Sequence, residues 1–269
     1  DHTSHAALAE LFGDDPAVVA AAQLGFADWL LGFPEQAISR SDQALDMADQ
    51  LSYLHTRAFP RVQRAWLHSW RREATEALKW ADASIALNSE HGFPDFLGWT
   101  TGVRGWALCH LGETEEGLAQ LSQGIAIAQG TGAEIALSWF FAALAEGHAM
   151  AGNHEDALAA IDEAFAVAEK NGEGFWEPEL HRLKGDVLRS LGASNDDVES
   201  CFTTAVELAA SQQLKSLELR AAVSLARLWQ AAHKEREARE LIAEVLGHFT
   251  EGFDTPDLVA AKDLLDGLR

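Results

Sequence analysis

The 269-residue sequence predicts an all-α fold, a right-handed α-solenoid of six stacked helix pairs with a further helix at each end. Three observations predict it. Small residues recur along the chain at Gly25, Ala65, Gly105, Ala145, Gly185 and Ala226, four intervals of 40 and one of 41. Two further ladders, Ala37, Ala77, Gly117, Ala157, Val198, Ala238 and Ala44, Ser84, Gly124, Ala164, Ala205, Val245, keep the same period. One inserted residue in the turn "LGASNDD" satisfies all three, and turns accept insertions that helix interiors do not. The third observation is composition: 48% of residues are apolar, enough to bury a large core, and only six are proline.

Taken in order, "TSHAALAELFG" at 3–13 predicts a leading helix within residues 1–13. Helix pairs follow at approximately 15–50, 52–90, 94–130, 133–171, 175–212 and 215–250, and 254–269 closes the array. Within a pair the first helix ends near Leu-Gly, as in "LLGFPEQA" at 30–37, "HLGETEEG" at 110–117 and "MAGNHEDA" at 150–157. Gly32, Gly112, Gly152 and Gly192 stand where a left-handed residue ends a helix. Thr114 and Asn153 stand where caps belong, with acidic residues after them to meet the helix dipole. A pair this short cannot bury its apolar face alone, so neighbours must stack. At the end, Thr255 reads as an N-cap and Pro256 as the first helical residue. Leu258, Ala261, Leu265 and Leu268 give that helix one apolar face. We read 1–269 as one repeat array, and the opening Asp, where a complete chain starts with Met, as the mark of a piece of a longer protein.

Gly105 gives this architecture a test. It lies inside the helical run "RGWALCHLG", where glycine costs about 1 kcal/mol against alanine. The ladder explains it: Gly25, Ala65, Gly105, Ala145, Gly185 and Ala226 stay small so that a neighbouring helix can approach.

Charge and motifs narrow the function. A formal net charge of −22 repels phosphate backbones and anionic bilayers, so neither nucleic acid nor membrane is an expected partner. No apolar run reaches the roughly 20 residues of a membrane span, and no signal peptide opens the chain. Two distant cysteines, Cys109 and Cys201, match no zinc or redox spacing and fit a reducing cytoplasm. The sequence holds no H-E-x-x-H, no glycine-framed serine and no phosphate loop. "ETEE" and "NDD" read as solvated helix starts, His148 and His154 as residues flanking a turn. We expect no catalytic residue, metal or cofactor.

The placing of Leu24-Gly25 and Ala37 in "QLGFADWLLGFPEQA" resembles the tetratricopeptide repeat, with a period about six residues longer than the usual 34. "EHGFPDFLGWTTGVRGWAL", "GEGFWEPELHRLKGDVLRSLG" and "TEGFDTPDLVAAKDLLDGL" resemble a narrower group. This is the C-terminal repeat region of bacterial signalling proteins that carry a class III adenylate/guanylate cyclase domain and a signal-transduction ATPase. Similar repeats follow the ATPase in maltose-regulator-type activators. The resemblance implies a regulatory arm whose catalytic domains lie elsewhere in a parent protein.

It also implies a groove lined by the first helix of each pair. In that register Phe26, Trp29, Trp66, Trp70, Trp99, Trp106 and Trp139 face inward in the first four repeats. Glu179, Arg182, Asp186, Arg189, Arg220 and Arg227 do so in the last two. Such a groove binds a protein segment or a sister domain through aromatic anchors and arginine forks, or encloses a small-molecule effector. The alternatives are that the tryptophans fill space between helices, that Arg182 and Arg189 pair with Glu179 and Asp186 along their own helix, and that the array is a spacer.

Overall fold

In a computed structural model the chain is described from residue 14 to residue 268; the expected leading helix lies outside the described residues. Among these, every regular element is helical. The pairs are α1 (Pro16–Leu30) with α2 (Pro34–Asp49), α3 (Leu54–Trp70) with α4 (Ala74–His91), and α5 (Pro94–His110) with α6 (Thr114–Thr131). They continue as α7 (Leu137–Met150) with α8 (His154–Asn171), α9 (Glu177–Ser190) with α10 (Asn195–Ser211), and α11 (Lys215–Ala231) with α12 (Glu235–Leu246). A 3-10 turn, Gly174–Trp176, leads into α9, and α13 (Pro256–Gly267) follows α12.

The turns show why helices end where they do. Gly32, Gly112, Gly152 and Gly192 have φ of +92°, +93°, +78° and +76°. Arg72 and His233 occupy the same turn position with φ of 61° and 59°, so the geometry persists where the sequence has no glycine to announce it. One expected cap is displaced. Gly117 N donates to Glu113 O at 2.9 Å, so Glu113 holds the cap position and Thr114 is already inside α6. Asn153 and Thr255 do occupy cap positions, but neither side chain caps its helix. The Thr255 hydroxyl donates back to Gly252 O at 2.7 Å instead. Ser194 does make a side-chain cap on α10, accepting from Asp197 N at 3.2 Å.

The chain forms two compact units. The first comprises residues up to 29 together with 34–134. Its tightest seam is α5 on α6. A Cβ added to Gly105 would meet Gly117 O and Leu121 N at 2.6 Å, and one on Gly124 would meet Gly102 N at 2.6 Å. Backbone therefore touches backbone along both helices. Ala65 keeps the same ladder position fully buried in α3, while at Gly25 the obstacle is Ala37 O at 3.1 Å.

One buried residue of this unit works against it. Asn88 of α4 is 1% exposed, and neither side-chain amide atom has a hydrogen-bond partner. The corresponding positions, stepping by the repeat, are Ala48, Ala128, Ala168 and Ala209. An unsatisfied buried amide costs about 1–3 kcal/mol, so the nearly isosteric Asn88→Leu is expected to stabilise by that order. A raised urea midpoint checks it.

The second unit comprises 30–33 and 135–269. Ala145 and Ala226 are buried on their ladder, and at Gly185 the obstacle to a Cβ is the ring of Phe202 at 2.5 Å. The buried Glu173 carboxylate holds the start of α7, accepting from Ala136 N at 2.7 Å, Ser138 N at 3.1 Å and the Ser138 hydroxyl. Leu258, Ala261 and Leu268 of the terminal segment join Ala226, Ile242 and Val245 in one apolar cluster, with Leu265 packed at its edge.

Candidate functional site

Seven aromatic residues were the first group expected to bind. Phe26, Trp29, Trp66, Trp70, Trp99, Trp106 and Trp139 are all buried. In the first unit the rings form a continuous stack across successive first helices. Trp29 lies 5.3 Å from Trp70, Trp70 4.5 Å from Phe26, and Phe26 6.2 Å from Trp66. Trp66 then lies 6.0 Å from Trp99, and Trp99 5.7 Å from Phe96. Each contact falls within the range of favourable ring pairs. Trp99 Nε1 donates to Ala133 O at 3.1 Å, and Trp106 packs on His110 at 4.3 Å. Trp139, in the second unit, meets Phe140 edge-on at 4.9 Å.

At the turn from α3 to α4, the first unit carries a polar network tied to α2. Arg71 donates to both oxygens of Glu73, at 3.0 and 2.7 Å, and to Pro34 O at 2.5 Å. His68 Nδ1 lies 2.6 Å from Glu73 Oε2, and Arg64 Nε donates to His68 Nε2 at 3.0 Å. Burial pushes the Glu73 carboxyl up, but hydrogen bonds from His68 and Arg71 overcome it and hold the group down at about 2. This network locks two repeats together.

In the second unit the same repeat positions change chemistry. Stepping by the repeat, Phe26, Trp66 and Trp106 become Glu146, Asp186 and Arg227. Phe59, Trp99 and Trp139 become Glu179 and Arg220. Residues three and four apart share a helix face, so α9 sets Glu179, Arg182, Asp186 and Arg189 in one row. Arg182 donates to both oxygens of Glu179, at 2.9 and 2.7 Å, and to Asp186 at 2.6 Å. Arg189 Nη2 reaches the other Asp186 oxygen at 2.9 Å. Arg220 of α11 donates to Asp257 of α13 at 2.7 Å, and its Nη1 lies 3.9 Å from Glu179. Lys215 donates to Glu218 at 2.8 Å.

The four arginines expected to cluster thus divide. Arg182 and Arg220 are buried around Glu179, while Arg189 sits half-exposed on Asp186 and Arg227 is exposed. Burial disfavours the Arg182 charge, yet Glu179, Asp186 and Glu146 of α7 hold the guanidinium firmly charged. Two acids here carried no signal of their own: Asp257 lies 37 residues from Arg220, and Glu146 faces Arg182 only because α7 and α9 are neighbours. Among the described residues no group of three His, Cys, Asp or Glu is placed to hold a metal ion, and no helix is long and apolar enough to cross a membrane.

The arrangement can do one thing chemically: hold Asp186, Arg189 and Asp257, which reach solvent, in fixed positions on the buried charges of Glu179, Arg182 and Arg220. Buried ion pairs add little net stability over apolar packing of the same volume, and the first unit shows that rings can fill these positions.

No known family profile matches the chain. A curated relative, an uncharacterised protein of Rhizobium meliloti (strain 1021), is 26% identical over 220 residues, 81% of this chain. The match spans 21% of that relative, so the chain covers about a fifth of its length. Among solved structures, a Rap protein complexed with competence and sporulation factor superposes with a TM-score of 0.64 at 11% identity, over 92% of this chain and 73% of that one. A signal transduction ATPase with numerous domains from Pyrococcus horikoshii, described as having a tetratricopeptide repeat sensor, gives a TM-score of 0.51 at 14% identity over 93% of this chain and 38% of that one. These likenesses are ones of fold, and the fold is that of tetratricopeptide-like helix pairs.

Proposed function

We propose that this chain is a non-catalytic interaction and regulatory module. Its charged face, built by α7, α9, α11 and α13, takes a protein segment or a sister domain of the parent protein. The observation that carries the reading is the buried network Glu179–Arg182–Asp186 with Arg220–Asp257. A face that gains little stability from its charges keeps them for orientation, because fixed donors and acceptors give a partner register and specificity. The Rap protein of the same fold is a complex with a factor, which supports a bound partner. The resemblance to cyclase–ATPase repeat regions, and the fold shared with an ATPase that has a repeat sensor, support a regulatory arm. In this reading occupation of the face controls the attached ATPase and cyclase.

The test uses the double variant Glu179→Leu/Arg182→Met, which removes a pair and leaves Asp186 with Arg189 and Arg220 with Asp257. Affinity capture from extract of the source cells, with cross-links mapped by mass spectrometry, compares it with the wild type. A protein cross-linked to α9 or α11 of the wild type and not retained by the folded double variant is the expected result. Equal retention by both, or cross-links confined to other helices, would overturn the assignment.

A further inference from the structure

The first unit carries a histidine held between two carboxylates. His55, the second residue of α3, has Nδ1 2.9 Å from Asp14 Oδ1 and Nε2 3.9 Å from Asp95 Oδ2. Its ring stacks on Phe96 at 4.3 Å and meets Phe93 edge-on at 4.9 Å. Asp14 lies just ahead of α1, and Asp95 in the first turn of α5. One residue along, Asp15 N donates to the buried Thr56 hydroxyl at 3.2 Å. The Asp15 carboxylate accepts from Ala17 N at 2.8 Å, capping α1. The start of the first helix is therefore fastened to the head of α3 at two adjacent points.

We propose that His55 is a pH-sensitive clasp that holds the entry to α1 against the heads of α3 and α5. A neutral imidazole has one N–H and serves one carboxylate. The imidazolium donates from Nδ1 to Asp14 while its Nε2 side faces Asp95 with positive charge. Among the described residues no cation opposes it: Asp15 is turned to the amides of α1, His91 of α4 lies beyond Phe93, and Arg57 of α3 faces Asp49 at 3.8 Å. The hydrogen bond to Asp14 raises the His55 pKa; burial opposes this, and the charges of Asp14 and Asp95 add to it. A raised folded-state pKa means that the stabilisation is fully present below the unfolded value and is lost as pH rises through the folded one. The entry to α1 is accordingly held most firmly at low pH, and the hold is lost as pH rises through the raised His55 pKa.

Hydrogen exchange along α1, corrected for intrinsic rates, tests the clasp between about pH 6 and about pH 8.5. Wild-type protection is expected to fall across this range, by up to about tenfold for each unit by which the pKa is raised. In His55→Gln the α1 protection is expected to be low and flat. Asp95→Asn, which leaves the Asp14 bond in place, is expected to lower the His55 titration measured by NMR and to shrink the fall in protection. The same pH dependence in wild type and His55→Gln, or a His55 titration that Asp95→Asn leaves unmoved, would overturn the proposal.

Discussion

Gly105→Leu is expected to destabilise the first unit by about 3 kcal/mol, the upper end of what overpacking a close helix contact costs. A lowered urea midpoint with far-UV circular dichroism reads it. The reason is in the atoms that a side chain would meet. A Cβ alone comes within 2.6 Å of Gly117 O and Leu121 N, both backbone. No rotamer change moves a backbone atom, so α5 and α6 must separate, and the apolar contacts along both helices open with them. A control follows from Gly185, where the obstacle is the Phe202 ring at 2.5 Å. There Phe202→Leu is expected to recover part of the cost of Gly185→Ala. Leu121→Ala is expected to recover little of the cost of Gly105→Ala, because it removes the Cγ contact at 3.0 Å and leaves both backbone atoms at 2.6 Å. An unchanged midpoint in Gly105→Leu would remove the close-approach account of the ladder.

The ladder was legible because glycine in a helix is locally unfavourable, and a repeated local cost at fixed spacing signals a tertiary contact. Turn glycines were legible for a different reason: glycine takes the left-handed backbone that ends a helix without steric cost. Arg72 and His233 were not: they take the left-handed turn because flanking helices impose it, and nothing in either side chain declares it. The cap at Glu113 also escaped, since threonine preference is a tendency and the backbone bond from Gly117 fixes the boundary. Aromatic residues at inward-facing positions suggested a lined groove, yet large apolar rings fill space between helices as readily, and the rings are buried against one another. The partners of Arg220 and His55 lie far off in sequence, but His55 had an available signal. Asp14 stands 41 residues before it and Asp95 stands 40 after it, close to one repeat in each direction. The period that located the helices also places those side chains side by side.

Arg182→Met alone is expected to cost about 3–5 kcal/mol, the penalty for removing one partner of a buried pair. Glu179, 4% exposed, would lose both charge-assisted hydrogen bonds from the guanidinium while remaining away from water. Glu179→Leu/Arg182→Met is expected to return close to wild-type stability, because it removes both charges together and fills their volume with apolar groups. Arg189 keeps Asp186 at 2.9 Å and Arg220 keeps Asp257 at 2.7 Å, while the half-buried Glu146 loses the attraction of Arg182. With Glu179→Leu as the second single variant, the double-mutant cycle in urea unfolding is expected to return a coupling energy of several kcal/mol for the pair. That measurement also separates recognition from support. A double variant that unfolds like the wild type but no longer retains a partner assigns the pair to binding. A double variant as unstable as the single one means that these charges hold the second unit together, and the proposed function loses the observation on which it rests.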